Sequence, residues 1–177
     1  MNYFSGFCFK NEQELFKEWI YRGDFCVAGF SYGAIKAFEF ASTCRDRVDK
    51  LQLFSPAFFQ DRSDKFRRLQ QIYFEKDSQK YIENFLQNVK YPKDIDISKY
   101  IKKGTIDELN ELLNYKWEEE KIKKLTKKGT NIEIYLGEKD KIINSSGVLD
   151  FFKPYADIYY IKRAGHLLTD LTHYKHT

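Results

Sequence analysis

Ser31 lies in Gly29-Phe30-Ser31-Tyr32-Gly33, after the apolar run Phe25-Cys26-Val27-Ala28 and before Ala34-Ile35-Lys36-Ala37-Phe38. A serine at a sharp turn from strand to helix exposes its hydroxyl, and the flanking positions must lack bulk for the turn to close. Such a hydroxyl is suited to attack a carbonyl carbon in acyl transfer. It is a weak nucleophile until a base takes its proton and a third group orients that base. Among the three histidines, His173 and His176 sit in a polar tail and read as solvated. His166 instead follows the apolar run 157–161 through Arg163-Ala164-Gly165. Asp140 follows the alternating run Ile132, Ile134, Leu136, with Glu138 as a nearer competitor for the acid role. If both runs are strands, His166 and Asp140 project from the carboxyl edge of a sheet, where groups that act on ligands collect. Each also has a plainer reading: Asp140 as the start of a turn, His166 as a capping residue.

A tetrahedral intermediate also needs preorganised donors for its oxyanion. The N–H of Tyr32, directly after the serine, is one candidate. The N–H of Phe7, in Ser5-Gly6-Phe7 after the first apolar run, is the expected second donor. Gly6 could equally be an ordinary turn glycine.

These groups need a scaffold, and the sequence patterning supplies one. Strands are expected at Asn2-Tyr3-Phe4, 25–30, 51–54, 132–136 and 157–161. Helices are expected at 11–20, with Asn11 as cap and Glu14 three residues on, and at 32–44. Strands alternating with helices predict an α/β fold with a mostly parallel, doubly wound sheet of about five strands. Between the third and fourth strands, roughly 60–128, four amphipathic stretches predict a helical insertion. They are centred on Phe66-Tyr73, Tyr81-Val89, Ile106-Leu113 and Trp117-Leu125. No internal repeat interrupts this pattern, so the 177 residues are expected to form a single domain.

Composition narrows the class. The chain is 42% hydrophobic and 18% aromatic with only three prolines, which excludes a disordered chain. The net charge of +4 is too small to suggest nucleic-acid binding. All of that excess sits in residues 58–128, which hold 17 Lys and Arg against 13 Asp and Glu. Three cysteines without Cys-x-x-Cys spacing suggest neither a disulfide framework nor a zinc site, and a cytoplasmic location is expected. Lys10 and Glu12 break the only early apolar run, so neither a leader nor a membrane span is expected.

The order Ser31, Asp140, His166 is the nucleophile–acid–histidine order of the α/β hydrolases. A narrower resemblance rests on Phe4-Ser-Gly-Phe, on Asn11-Glu with Leu15-Phe-Lys-Glu-Trp, and on Gly29-Phe-Ser-Tyr-Gly-Ala-Ile-Lys-Ala. Leu53-Phe-Ser-Pro and Arg68-Leu-Gln add to it. With these the chain resembles, over nearly its whole length, the BioV-type pimeloyl-[acyl-carrier protein] methyl ester esterases of biotin synthesis. The resemblance implies a reduced α/β-hydrolase fold and release of methanol from the ω-methyl ester of a carrier-bound dicarboxylic acyl chain. It also implies Ser31 as nucleophile, His166 as base and then acid, Asp140 as orienting carboxylate, and no metal or organic cofactor. Larger α/β hydrolases often place a His-Gly pair at the oxyanion loop; here Ser5 stands where that histidine would be.

The implied partner is an acyl carrier protein, met by basic residues of a lid formed from the insertion. Arg67 and Arg68, then Lys102 and Lys103, are the candidates, with a solvated helix face as the alternative for each. A monomer is expected. Two other readings stay open: a broad small-molecule carboxylesterase or thioesterase with the same triad, and a non-catalytic binding module that keeps the fold.

Overall fold

Apolar runs rich in β-formers become strands, and a serine directly follows β1, β2 and β3 (Ser5, Ser31 and Ser55). The computed structural model describes residues 1–169. Five strands, β1 (Asn2–Phe4), β2 (Cys26–Phe30), β3 (Lys50–Phe54), β4 (Asn131–Gly137) and β5 (Asp157–Ile161), form one sheet in the order β1-β2-β3-β4-β5. Every neighbouring pair is parallel, with Phe4 opposite Gly29, Phe30 opposite Phe54, Phe54 opposite Tyr135 and Gly137 opposite Ile161. Parallel pairing puts all five carboxyl ends on one edge. The segments carrying Phe7, Ser31, Ser55, Asp140 and His166 therefore all leave from that edge.

Both faces of the sheet are covered, as a parallel sheet requires. One face, built on Val27, Leu51, Leu53, Ile132, Ile134 and Leu136, packs against α1 (Tyr32–Thr43), α5 (Glu119–Lys127) and α6 (Ser145–Phe152). Ala34, Ala37 and Ala41 keep α1 close to the sheet, and Phe38 meets Trp117 with ring centres 5.1 Å apart. The other face is a row of rings running Phe16, Phe30, Phe54, Tyr135 and Tyr159 across the strands. The Phe16–Phe54, Phe54–Tyr135 and Tyr135–Tyr159 pairs are stacked at 4.8, 4.8 and 4.6 Å. Strand order is strictly sequential, so the second face carries no crossover helix of full length. The segment 12–20 covers it instead.

That segment departs from the expected helix. Only Glu12–Phe16 is helical, and as a 3₁₀ turn. Asn11 sits at φ 55°, makes no side-chain cap, and Glu14 is exposed. Glu12 is drawn inward instead and is completely buried, held by groups of β1 and the loop after it. A tertiary contact has overridden the local capping pattern. Phe16 and Ile20 are buried, as the apolar spacing predicts.

The insertion contains four helices in the expected places: α2 (Asp64–Lys76), α3 (Ser78–Lys90), α4 (Ile106–Asn114) and α5. Helix α2 packs on α3 and α4, whereas α5 packs on α1. Trp117, just before α5, donates its indole N–H to the Ala57 carbonyl at 2.9 Å, anchoring this end to the central layer. Helix α6, which begins at Ser145-Ser146-Gly147, has no counterpart in the sequence reading. Among the described residues no helix is long and apolar enough to cross a membrane.

Candidate active site

Ser31 is held in a conformation that few non-glycine residues adopt, with φ 53° and ψ −115°. Such backbone costs on the order of 1–3 kcal/mol and persists only where its surroundings enforce it. The surroundings are visible. The Ser31 N–H donates to the Phe54 carbonyl at 2.9 Å, and its carbonyl accepts from Ala34 and Ala57. A Cβ at Gly29 would strike the Gly33 carbonyl, and one at Gly33 would strike the Phe4 carbonyl. Glycine at both positions lets the turn close and brings the start of α1 against the loop after β1.

His166 Nε2 lies 2.9 Å from Ser31 Oγ, and its Nδ1 lies 2.6 Å from Asp140 Oδ2. The carboxylate can only accept when ionised, which places the imidazole proton on Nδ1 and leaves Nε2 to accept from the Ser31 hydroxyl. The side chains of His166 and Asp140 are fully buried. Asp140 is fixed through its other oxygen, which accepts from the N–H groups of Ile142 and Ile143 at 2.7 and 3.1 Å. Glu138, the competing acid, is exposed on the surface. The Phe30 ring packs on the imidazole with centres 5.0 Å apart. Sequence reasoning overlooked Ser55, whose hydroxyl donates to the His166 carbonyl at 2.8 Å across 111 residues of chain. Its signal was faint: a serine ending a buried strand, followed by proline. His173 and His176 lie outside the described residues.

Of the two donors expected for an oxyanion, Tyr32 follows Ser31 directly in sequence at the start of α1. Phe7 is buried and lines the same cavity as Ser31. Among the described residues the Phe7 and Tyr32 N–H groups have no acceptor within the protein. A backbone donor left without an acceptor is free to bind a ligand atom. The Tyr32 hydroxyl donates to Glu111 of α4, and burial, reinforced by that carboxylate, raises the phenol's pKa.

Above Ser31 opens a cavity of about 640 Å³. Its inner wall is apolar, formed chiefly by Phe7, Phe59, Phe66, Phe85, Leu109 and Leu113, while Lys76, Lys80 and Lys141 stand at its rim. All three lysines are exposed, and the Lys141 ammonium rests 3.5 Å from the centre of the Tyr91 ring. None of the four basic residues expected from sequence lines this cavity. Arg67 is turned inward: it donates to the Phe59 and Arg62 carbonyls at 3.2 and 3.1 Å and pairs with Asp64. Lys102 pairs with Glu108 at 2.9 Å, and Arg68 and Lys103 are exposed and do not line the cavity. Helical period accounts for the placement of the two arginines. Phe66, Gln70, Tyr73 and Asp77 share the face toward the cavity, which leaves 67 and 68 turned away from it. Among the described residues no group of three or more His, Cys, Asp or Glu side chains is arranged to hold a metal ion.

No protein-family model and no curated protein sequence matches the chain. Solved structures do. Naproxen esterase (carboxylesterase NP) from Bacillus subtilis superposes at a TM-score of 0.57 with 18% identity, over 81% of this chain and 54% of its own. E-2-(acetamidomethylene)succinate hydrolase matches at 0.53 with 14% identity, over 85% and 63%. The fold is that of the α/β hydrolases. MenH from S. aureus also matches, at 0.53 with 13% identity, over 82% of this chain and 63% of its own. The chain thus spans a little over half the length of the α/β hydrolases it matches. Its five strands and the segments at their carboxyl ends form a reduced version of that fold.

Proposed function

We propose that the protein is a serine carboxylic ester hydrolase. The observation that carries this reading is the Ser31–His166–Asp140 relay, 2.9 and 2.6 Å between partners, at the floor of a walled cavity. In the reaction His166 takes the Ser31 proton as Oγ attacks the ester carbonyl. The N–H groups of Phe7 and Tyr32 receive the negative charge on the carbonyl oxygen. Protonated His166, held by Asp140, returns the proton to the leaving alcohol. Water then repeats the sequence on the acyl-enzyme, and Ser31 is regenerated.

The substrate proposed is the methyl ester of a pimeloyl chain carried by an acyl carrier protein, with methanol as the leaving group. The apolar wall suits a methylene chain, whose burial contributes about 0.8 kcal/mol per CH₂. Helices α2–α4 would serve as the lid. The exposed cations that line the cavity, Lys76, Lys80 and Lys141, would attract an acidic carrier and its phosphate-bearing arm, setting association rate and partner choice. The three cysteines are free, which fits work in a reducing cytoplasm. The test is methanol release from methyl pimeloyl-carrier protein and from free methyl pimelate by wild type and Ser31→Ala. Turnover of the carrier-bound ester well above that of the free ester, abolished in Ser31→Ala, is expected. Equal turnover of the two esters would favour a broad small-molecule carboxylesterase.

A further inference from the structure

Glu12 is completely buried, and its Oε2 has no hydrogen-bond partner among the described residues. Leaving a buried carboxyl oxygen unpaired is destabilising, and an apolar side chain of similar size would avoid that cost. Something other than stability accounts for an acid at this position. The partnered oxygen shows what it is. Glu12 Oε1 accepts the Gly6 N–H at 2.8 Å and the Tyr3 hydroxyl at 3.1 Å. Gly6 sits directly before Phe7, which lines the Ser31 cavity and whose N–H has no acceptor within the protein among the described residues.

The geometry points to Glu12 as the positioning residue of the oxyanion loop. The peptide that carries the Phe7 N–H is the Gly6–Phe7 unit. That unit is planar and trans, so its N–H points opposite to its C=O. The Gly6 carbonyl is fixed by the Phe9 N–H at 3.0 Å. The preceding peptide is fixed by Glu12 through the Gly6 N–H. With both planes pinned, the Phe7 N–H has one direction left to it. Gly6 cannot be held by bulk instead, because a Cβ there would press on the Phe30 ring at 2.7 Å. The buried acid does from one side what a larger residue in the loop could not. Glu12 does not touch the reacting atoms; it acts through the backbone.

This inference rests on the esterase reading, and its test separates the two. Hydrolysis of p-nitrophenyl butyrate is measured for wild type, Glu12→Gln and Glu12→Met. Methionine fills the space without accepting the Gly6 N–H, whereas glutamine keeps an acceptor oxygen. Glu12→Met is expected to fold with wild-type circular dichroism and to lose at least tenfold in kcat with KM within about threefold, as for a weakened oxyanion donor. Glu12→Gln is expected to restore kcat to within about threefold. Wild-type kcat in Glu12→Met, or loss in both variants alike, would overturn the inference while leaving the esterase reading intact. An inactive wild type would overturn both. If Glu12→Met does not fold, amide exchange at Gly6 in the wild-type protein decides: protection is expected, and exchange as fast as at a surface amide overturns the assignment.

Discussion

At the scale of single residues, burial determines which groups can act. Asp140 is the buried acid on the His166 ring and Glu138 is not, although both follow β4. Replacing Asp140 by Asn keeps an acceptor for the Ile142 and Ile143 amides but removes the charge that fixes the imidazole tautomer. On the proposed chemistry kcat should fall by roughly 10²–10⁴ with secondary structure unchanged, measured by steady-state kinetics beside circular dichroism. Burial also settles the thiols. It pushes the Cys8 thiol up to about 12 and the Cys26 thiol up to about 11, whereas Cys44 is partly exposed. Thiolate is the reactive form. A disulfide reagent at pH 8 should therefore titrate one thiol in the native protein and three after denaturation. Glu12 makes a further prediction through linkage. Burial raises its pKa, so between the ordinary value near 4.5 and the raised one the folded state binds more protons than the unfolded state. Stability contributed by this group is present below that window and lost as pH rises through it; the Gly6 amide, the Glu12 amide and the Ser5 and Tyr3 hydroxyls face the carboxyl and oppose the rise without cancelling it. Glu12→Gln lacks the loss, so its Tm relative to wild type should climb from pH 4.5 upward in a thermal series. A difference that stays flat with pH would show that Glu12 ionises as freely as in the unfolded chain.

At the scale of elements, caps and periodicity decide what is built and what can be read. Helix α4, whose Leu109, Leu112 and Leu113 wall the cavity, starts with a capping box: Thr105 accepts the Glu108 N–H and Glu108 accepts the Thr105 N–H, both at 3.1 Å. Thr105→Ala should cost about 1 kcal/mol of stability, checked by the shift in urea midpoint at constant m-value. Elements of this kind are legible in sequence because their signals are local. The strands around Val27, Leu53 and Ile134 are short apolar runs with breaks after them. The four insertion helices follow from apolar spacing alone. The turn at Ser31 is legible because two glycines in a five-residue pattern have a steric purpose. Elements fixed by distant partners were not legible. Segment 11–20 has a helical pattern, yet the Gly6 amide and Tyr3 hydroxyl draw Glu12 inward and limit the helix to Glu12–Phe16. Ser55 meets His166 through the sheet, not along the chain. Helix α6 is only eight residues long, and Ser145-Ser146-Gly147 reads as a loop. The outward direction expected of Arg67 required knowing the rotation of α2 about its axis.

At the scale of the whole molecule, a five-stranded sheet gathers its functional ends on one edge and the insertion roofs them. The second face of that sheet is ordered by ring stacking from Phe16 to Tyr159, and Phe30 links this layer to the His166 imidazole. Positive charge at the mouth is a property of this assembly, because Lys76 and Lys80 come from α2 and α3 and Lys141 from the loop after β4. Reversing Lys76 and Lys80 together to Glu should reduce kcat/KM for a carrier-bound ester at least tenfold at low salt. It should change kcat/KM for p-nitrophenyl butyrate by less than about threefold, and added salt should narrow the difference. The most direct test of the central claim, that Ser31 is a nucleophile activated by His166, is intact-mass analysis after exposure to an alkyl fluorophosphonate. One adduct, mapped to Ser31 in wild type and absent from Ser31→Ala and His166→Ala, is the result the geometry predicts. No adduct on folded wild-type protein, or an adduct that persists in Ser31→Ala, would contradict it.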